Sequence, residues 1–543
     1  MNERKTGRYD VVVLGCHLAT ALLAAILSRS GLRVAIVRTG PDAAVPAGET
    51  TVPYTAELFC LLGSRFDIPE IAALGRFDEL PEAVRATSGA KHSLGFLYHR
   101  PGQEQQPGEA LQFEVPSEHA EWHLYRPDVD SHAEEIDLAR GGVIFSAMPR
   151  PGGVHIGPDG VTVELSNGPP IHAEYLVDGS GDPALLPAGA AAPDPGSTRH
   201  RTRLLTAELA GVKPAESYLP GRRYDARATP WSAGTLTHVF PGGWLQVASL
   251  GHRDGSTGTR CAVTLSLDPE TYPACGDEPA AEFRRWAAAF PDIARAFGSA
   301  AETRPWRRDE DWPAIAAVGA GPRWFLFDRA AGRQDLVLSR DLTTSLEAVH
   351  LAATGLLRLA AAGDWAGDGM TATAATQRRL LEFQDRLIRA ARIATGDFGL
   401  WNAFSRVWLL WTILCALSVK RARMDGETGS GDDRWSPVER FSSVPYWYEV
   451  PAGLPELVDD ALTEIELVRH GKDAAGVAEA IFARLRQEPF VPPLYDFGDP
   501  DAKYYVFDLE RRERMAAWVE NDAPPDFRRL LTQENVTGEP SRS

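Results

Sequence analysis

The sequence predicts an α/β fold in three parts: a doubly wound, mostly parallel sheet of nucleotide-binding type, a mixed β-sheet on the substrate side, and a C-terminal helical region. Three observations predict it. Residues 9–38 read as strand, tight turn, helix, strand. Residues 204–267 are a succession of β-branched and aromatic runs. From residue 345 onward, Ala- and Leu-rich amphipathic stretches dominate.

The first observation carries the most chemistry. Residues 9–15 (YDVVVLG) are an apolar, β-branched run ending in glycine, the pattern of a strand buried on both faces. His17 to Arg29 is Ala/Leu-rich helix composition, Gly31 stops it, and Arg33 to Val37 (RVAIV) is a second strand. That is the opening βαβ of a Rossmann-type site, which usually carries G-x-G-x-x-G and, about 20 residues on, a ribose-holding acid. Here the turn reads Gly15-Cys16-His17-Leu18-Ala19-Thr20, so only Gly15 remains. His17 puts an imidazole where backbone should approach a pyrophosphate, Thr20 crowds the packing of helix on strand, and Arg38 stands near the acid's place. The scaffold signal is strong and the ligand signal weak. Either a dinucleotide binds with Arg38 against a phosphate, or the pocket has decayed.

Composition narrows the function classes. With 543 residues, 44% of them apolar, the chain can bury two or three cores. A net charge of −18 argues against a nucleic-acid partner. Five scattered cysteines without a CxxC predict a reducing cytoplasm rather than disulfides or zinc. The polar start MNERKTGRYD does not read as a signal peptide. The longest apolar run, Val407 to Val419, falls short of the about 20 residues a spanning helix needs, so no transmembrane segment is expected.

In chain order, 47–62 is a Gly/Pro-punctuated loop entering an amphipathic helix, and Leu94 to His99 is strand-like just after Lys91. His123 to Asp130 leads into a helix bearing Glu134, Glu135 and Asp137. Val161 to Ser180 gives two strands around a turn, the second running into Asp178-Gly-Ser-Gly181. Residues 182–200 read as a crossover. Trp324 to Phe327 is a short strand, while Ser345–Ala362, Gln377–Thr395 and Leu400–Val419 are helices. Arg423 to Pro437 reads as a mobile polar linker, followed by two or three helices and a disordered tail over 526–543. The expected division is a discontinuous nucleotide-binding domain (8–80, 120–190, 310–395), a substrate-side sheet domain (81–119, 195–309) and a helical region (396–525).

Five segments, GETTVP (48–53), TSGAKHSLGFLYHRPG (87–102), YRPDVD (125–130), HVFPGGWLQVAS (238–249) and DFGLWNAFSRVW (397–408), occur in the order found in flavin-dependent halogenases. From about residue 8 to 420 the chain resembles that family, in the branch acting on phenolic, pyrrolic or carrier-tethered substrates. The resemblance implies an FAD-binding domain of the aromatic-hydroxylase type and a secondary-metabolic role. It also implies a separate flavin reductase, and a hypohalous acid that travels to a lysine, here Lys91. It puts Glu49 and Thr50 in the loop packing on the flavin, Arg126 at the flavin edge and pyrophosphate, and Gly15, Asp178 and Gly181 in the cofactor contacts.

Departures accompany the match. The tunnel-wall motif W-x-W-x-I-P reads Trp244-Leu245-Gln246-Val247-Ala248-Ser249, and the halide-loop motif ends in Asp341 where the family has glycine. A carboxylate there should oppose halide by about 1 kcal/mol or more. Three readings follow: an FADH2-dependent halogenase on an aromatic small molecule; a flavin-deficient pseudo-halogenase paired with an active paralogue or with itself as a homodimer; and an FAD monooxygenase whose thin wall admits substrate to the flavin.

Overall fold

In the computed structural model, residues 7–531 are described apart from 41–47, 115–120, 183–184, 187–193, 195–200, 220–228, 252–259, 313–314, 333–334, 336–337, 339, 440–444, 447–448 and 507. The strands Tyr9–Leu14 and Val34–Val37 pair in parallel, with Val11 opposite Val34. Ile171–Asp178 flanks the first on its other side, also parallel; Trp324–Leu326 and Val143–Phe145 extend the sheet in parallel on either side, and Ala320–Gly321 adds an antiparallel edge beyond Trp324–Leu326. Val11, Val12, Val13 and Leu14 are wholly buried, as a continuous β-branched run between two covered faces requires. The helix Leu18–Arg29 lies on this sheet and packs against the helices Arg126–Ala139 and Arg340–Ala362.

A second sheet of eight strands runs from Ala301–Trp312 through Thr202–Ala210, Arg260–Leu267, Gly243–Leu250 and Thr235–Phe240 to Ser93–Tyr98, Ala110–Glu114 and Tyr504–Tyr505. It is antiparallel except where Thr235–Phe240 meets Ser93–Tyr98 and where Tyr504–Tyr505 meets Ala110–Glu114. A small third sheet, Gly48–Thr50, Glu121–Tyr125 and Gly89–Lys91, joins the two large ones. It sets Glu49, Lys91 and Arg126 at one junction, because Arg126 directly follows its middle strand.

Several expectations change. The helix expected from Ser345 begins at Arg340, so Asp341 sits in its first turn instead of in a loop. Arg423–Pro437 is not a mobile linker: the helix Phe398–Thr428 runs through its first half, and a 3-10 segment, Asp432–Glu439, folds back. The anchor is Trp435, so close to Gly426 that a Cβ there would lie 2.2 Å from the indole. Composition suggested a linker, but one buried tryptophan outweighs a polar stretch. Among the described residues four helices follow, not two or three: Leu454–Val468, Ala474–Gln487, Leu509–Asn521 and Pro525–Leu530. The last enters the expected tail and buries Phe527, while 532–543 and most of the crossover 182–200 fall outside the described residues.

The apolar run 407–419 belongs to a 31-residue helix that is long and apolar enough to cross a membrane, yet 89% of its apolar window is buried inside the protein. Trp401, Trp408 and Trp411 on it are at most 1% exposed. All five cysteines are free thiols.

Candidate active site and nucleotide seat

Lys91 ends the strand Gly89–Lys91 and is fully buried, not a surface lysine before an edge strand. Its Nζ lies 2.7 Å from Glu121 Oε2 on the neighbouring strand and donates to the Thr51 carbonyl. Burial pushes the Glu121 carboxyl up, and the Lys91 ammonium pulls it back toward the ionised form. Sequence reading missed Glu121. Its only local signal was an acid opening the apolar strand Glu121-Trp-His-Leu-Tyr125.

The pair lines a cleft of about 410 Å3, counting its open mouth. Val52 and Pro53 form one wall, Leu94, Phe113 and Glu114 of the second sheet another, and Trp408, Thr412 and Tyr495 of the C-terminal region the roof. Three buried lining atoms have no hydrogen-bond partner: Glu121 Oε1, the Trp408 indole N–H and the Thr412 hydroxyl. Buried polar atoms usually have partners, so such a group in one cleft marks where a ligand's polar atoms would go. A lysine held as a donor at the end of an apolar, aromatic cleft can hydrogen-bond an electrophile's leaving oxygen beside a ring.

On the other side of the small sheet lies a dense charge cluster. Arg126 donates to Glu49 at 2.8 Å and to Asp130 at 2.9 Å. Burial disfavours its charge, but Asp130 and Glu49 outweigh that and hold its pKa above the ordinary value. Arg329 bonds Asp341 at 2.8 Å and lies 3.5 Å from Glu49. Asp341 is therefore paired, and the repulsion of an anion expected from it is offset. Burial lifts its carboxyl to about 7, against the pull of Arg329 and with Glu49 and Asp328 adding to the rise. Arg329 was not anticipated, since nothing near Asp341 in sequence announces it.

At the turn, Gly15 is left-handed with φ of 96°. The His17 ring does not project outward: its Nε2 meets the Gly179 carbonyl at 3.0 Å, and the Thr20 hydroxyl bonds the His17 backbone. A Cβ on Gly179 would come within 2.5 Å of the Thr20 methyl, so Gly179 supplies the close approach that Thr20 denies. Asp130 Oδ1 accepts from the Leu18 N–H at the helix N-terminus, and Arg38 pairs with Glu134. Asp178 accepts from Ser180 N–H at 2.9 Å, its carboxyl raised by burial to about 6. Gly181 is left-handed at the end of the same loop, with φ of 68°.

Thr50 bonds Thr235 at 3.1 Å. Trp244 is buried under the Arg392 guanidinium, 4.2 Å from its ring, and Arg392 also bonds Asp335 at 3.1 Å. Gln246 faces Thr237 and Thr264 across the second sheet. Arg333, Gln334, Leu336, Val337 and Ser339 of the halide-loop motif lie outside the described residues.

A flavin fits this seat on two observations. A Cβ on Gly15 would come 3.0 Å from Gly179 backbone, so only glycine keeps the turn open. Glu49 Oε2 is buried without a partner, an acceptor available to a ligand hydroxyl or N–H. The seat charges for entry, because the donors that would meet a pyrophosphate, Leu18 N–H and Arg126, already serve carboxylates of the chain.

No family model matches the chain. Two curated proteins are similar to it over nearly their whole length. Tetracycline 7-halogenase of Kitasatospora aureofaciens is 28% identical over 532 residues, covering 96% of this chain and 95% of that protein. Monodechloroaminopyrrolnitrin halogenase PrnC of Pseudomonas fluorescens is 28% identical over 550 residues, covering 98% and 95%. Among solved structures, the halogenase PltM in complex with phloroglucinol and FAD superposes with a TM-score of 0.84 at 25% identity, over 92% of this chain and 99% of that one.

Proposed function

We propose that this chain, which belongs with the flavin-dependent halogenases, is a halogenase-type oxidoreductase acting at Lys91 on an electron-rich aromatic ring. The observation that carries the reading is the buried Lys91–Glu121 pair in a cleft whose lining leaves three polar atoms unpartnered. FAD, which the Gly15 turn, Glu49 and Arg126 would hold and a separate reductase would reduce, would supply, with dioxygen as the oxidant, the chemistry that turns halide into hypohalous acid and water. Lys91 then donates a hydrogen bond to the hydroxyl end of that acid. The ring carbon takes the halogen, the oxygen leaves as water, and the ring proton is lost. Glu121 keeps the ammonium oriented, and the apolar walls exclude bulk water that would dilute the electrophile.

The test is product analysis with reductase, FAD, halide and a phenolic or pyrrolic substrate, free or carrier-tethered. Halogenated product that disappears in Lys91→Ala, while flavin oxidation continues, supports the reading. Robust halogenation by Lys91→Ala refutes it. A second reading, a flavin-deficient partner of an active paralogue, is favoured by the engaged donors at the nucleotide seat. A purified protein that stays colourless with excess FAD would select it. Hydroxylated product without halide would instead select a monooxygenase.

A further inference from the structure

We infer that the Thr412 hydroxyl and the Trp408 indole N–H select a substrate whose ring carries an uncharged carbonyl oxygen, which accepts from both. The inference rests on the reading of this cleft as the substrate site, and it names the substituent that the site recognises.

Thr412 and Trp408 stand at i+4 and i on the helix Phe398–Thr428, so they share one face of it, and both line the roof of the cleft. Each is 1% exposed, and neither Thr412 Oγ1 nor Trp408 Nε1 has a hydrogen-bond partner. A hydroxyl inside a helix can bond the carbonyl three or four residues back. On this helix Ser405 bonds the Asn402 carbonyl at 2.9 Å, Ser418 that of Leu414 at 2.9 Å and Thr428 that of Met424 at 2.8 Å. Of the four hydroxyls on the helix, only that of Thr412 is left unbonded, and it is the one in the cleft lining.

Trp401, Trp408 and Trp411 all have unbonded indole N–H groups, and of the three only Trp408 lies in the lining. An indole N–H donates and cannot accept, whereas the Thr412 hydroxyl can donate as well. Two buried donors on one face call for an acceptor, and a carbonyl oxygen has two lone pairs to meet them. A hydrocarbon group in the same place would leave both donors unbonded. Leu94 and Phe113 of the second sheet suit the ring itself. A substituent anchored on the roof also fixes which ring edge meets Lys91.

4-Hydroxyacetophenone and 4-ethylphenol test this without flavin or halide, since they differ by one carbonyl oxygen in place of a methylene's hydrogens. Calorimetry at mildly acid pH, where both phenols are neutral, should give the ketone at least about tenfold tighter binding. Thr412→Val keeps the shape and removes the donor, and should cut that advantage several-fold. Thr412→Ser, which restores a hydroxyl, should keep it. The ratio of the two affinities is read within each variant, so a general loosening of the cleft cancels. Should Thr412→Val not fold, Trp408→Phe takes its place with the same expectation. Equal or tighter binding of 4-ethylphenol by the unaltered protein overturns the inference. So does an undiminished advantage in the folded variant that lacks the donor, or a Thr412→Ser that loses the advantage as fully as Thr412→Val. Failure of both probes to bind the folded protein would overturn the substrate-site reading with it. A wrong order between probes that bind overturns the inference alone.

Discussion

At the Lys91 cleft, buried polar atoms outnumber their partners, whereas at the nucleotide seat nearly every charged side chain is already engaged. Glu121 Oε1, Trp408 Nε1 and Thr412 Oγ1 lack partners at the first. At the second, Arg126, Arg329 and Arg38 are all paired with carboxylates, and Asp130 closes the helix N-terminus. The two regions lie on either side of one three-stranded sheet and are comparably buried. Burial alone therefore does not distinguish the two. The unmet hydrogen bonds differ in degree: three polar atoms are left over at the cleft and Glu49 Oε2 at the seat, each costing about 1–3 kcal/mol that a ligand or water recovers.

The sharpest way to break the contrast is to remove the lysine. If the cleft is the working end, Lys91→Met should lower halogenated product by at least about a hundredfold, the scale of a lost acid partner. A smaller loss, read by mass spectrometry against unchanged flavin oxidation, would make Lys91 a packing residue.

Next is the self-satisfied seat. Arg329→Ala strips Asp341 and leaves Glu49 with one fewer cation, so unfolding free energy should fall by about 3–5 kcal/mol, the usual cost of half a buried pair. Arg329→Ala combined with Asp341→Gly should recover most of it. A denaturant titration in which the double change is no better than the single one would show that the pair does not act as a unit.

The nucleotide turn gives a somewhat smaller effect. His17→Gly with Thr20→Gly and Arg38→Glu restores the expected motif, but Glu134 sits beside Arg38 and would face the new carboxylate. Adding Glu134→Gln removes that conflict. The four changes together should raise FAD affinity at least about a hundredfold, or roughly 2.7 kcal/mol. Tight FAD binding by the unaltered chain, seen in a fluorescence titration, would mean that His17 and Arg38 already accommodate the nucleotide.

The effect that is smallest at any one step is on pH, because it is spread over about three units. Asp137 sits under the helix end with its carboxyl raised by burial to about 7, only Ser28 opposing. The folded state thus holds a proton that the unfolded state releases near pH 4, and stability falls as pH rises through that window by at most about 1.4 kcal/mol per unit. Asp137→Asn should flatten the decline in thermal melts between pH 4 and 7. A slope unchanged by Asp137→Asn would assign it to Asp341 or Asp178 instead.

Much of the fold was legible. The parallel pair at 9–14 and 34–37 followed from a β-branched run, a helix and Gly31, because a buried strand and its crossover are specified by local composition. The helix Arg126–Ala139 and the strands Ser93–Tyr98, Thr235–Phe240, Gly243–Leu250 and Arg260–Leu267 were legible for the same reason, while Ala110–Glu114, Ala301–Trp312 and Tyr504–Tyr505 were not. Lys91, Glu49 and Arg126 were legible only through the order of motifs around them, not through spacing. The partners were not legible at all: Glu121, Arg329 and Tyr495 are brought in by a strand pairing, a turn and the C-terminal region, respectively.

By itself, the sequence determined the doubly wound scaffold, the β-rich middle and the missing glycines, since each depends on residues within about one element of one another. Only the tertiary structure decided what those losses amount to. His17 turns inward onto Gly179, Gly179 makes room for Thr20, Arg329 answers Asp341, and Trp435 orders a stretch whose composition reads as a linker. The physical reason is common to all four. A buried charge or ring is stabilised by whatever sits across from it, and that neighbour is chosen by packing between elements far apart in the chain.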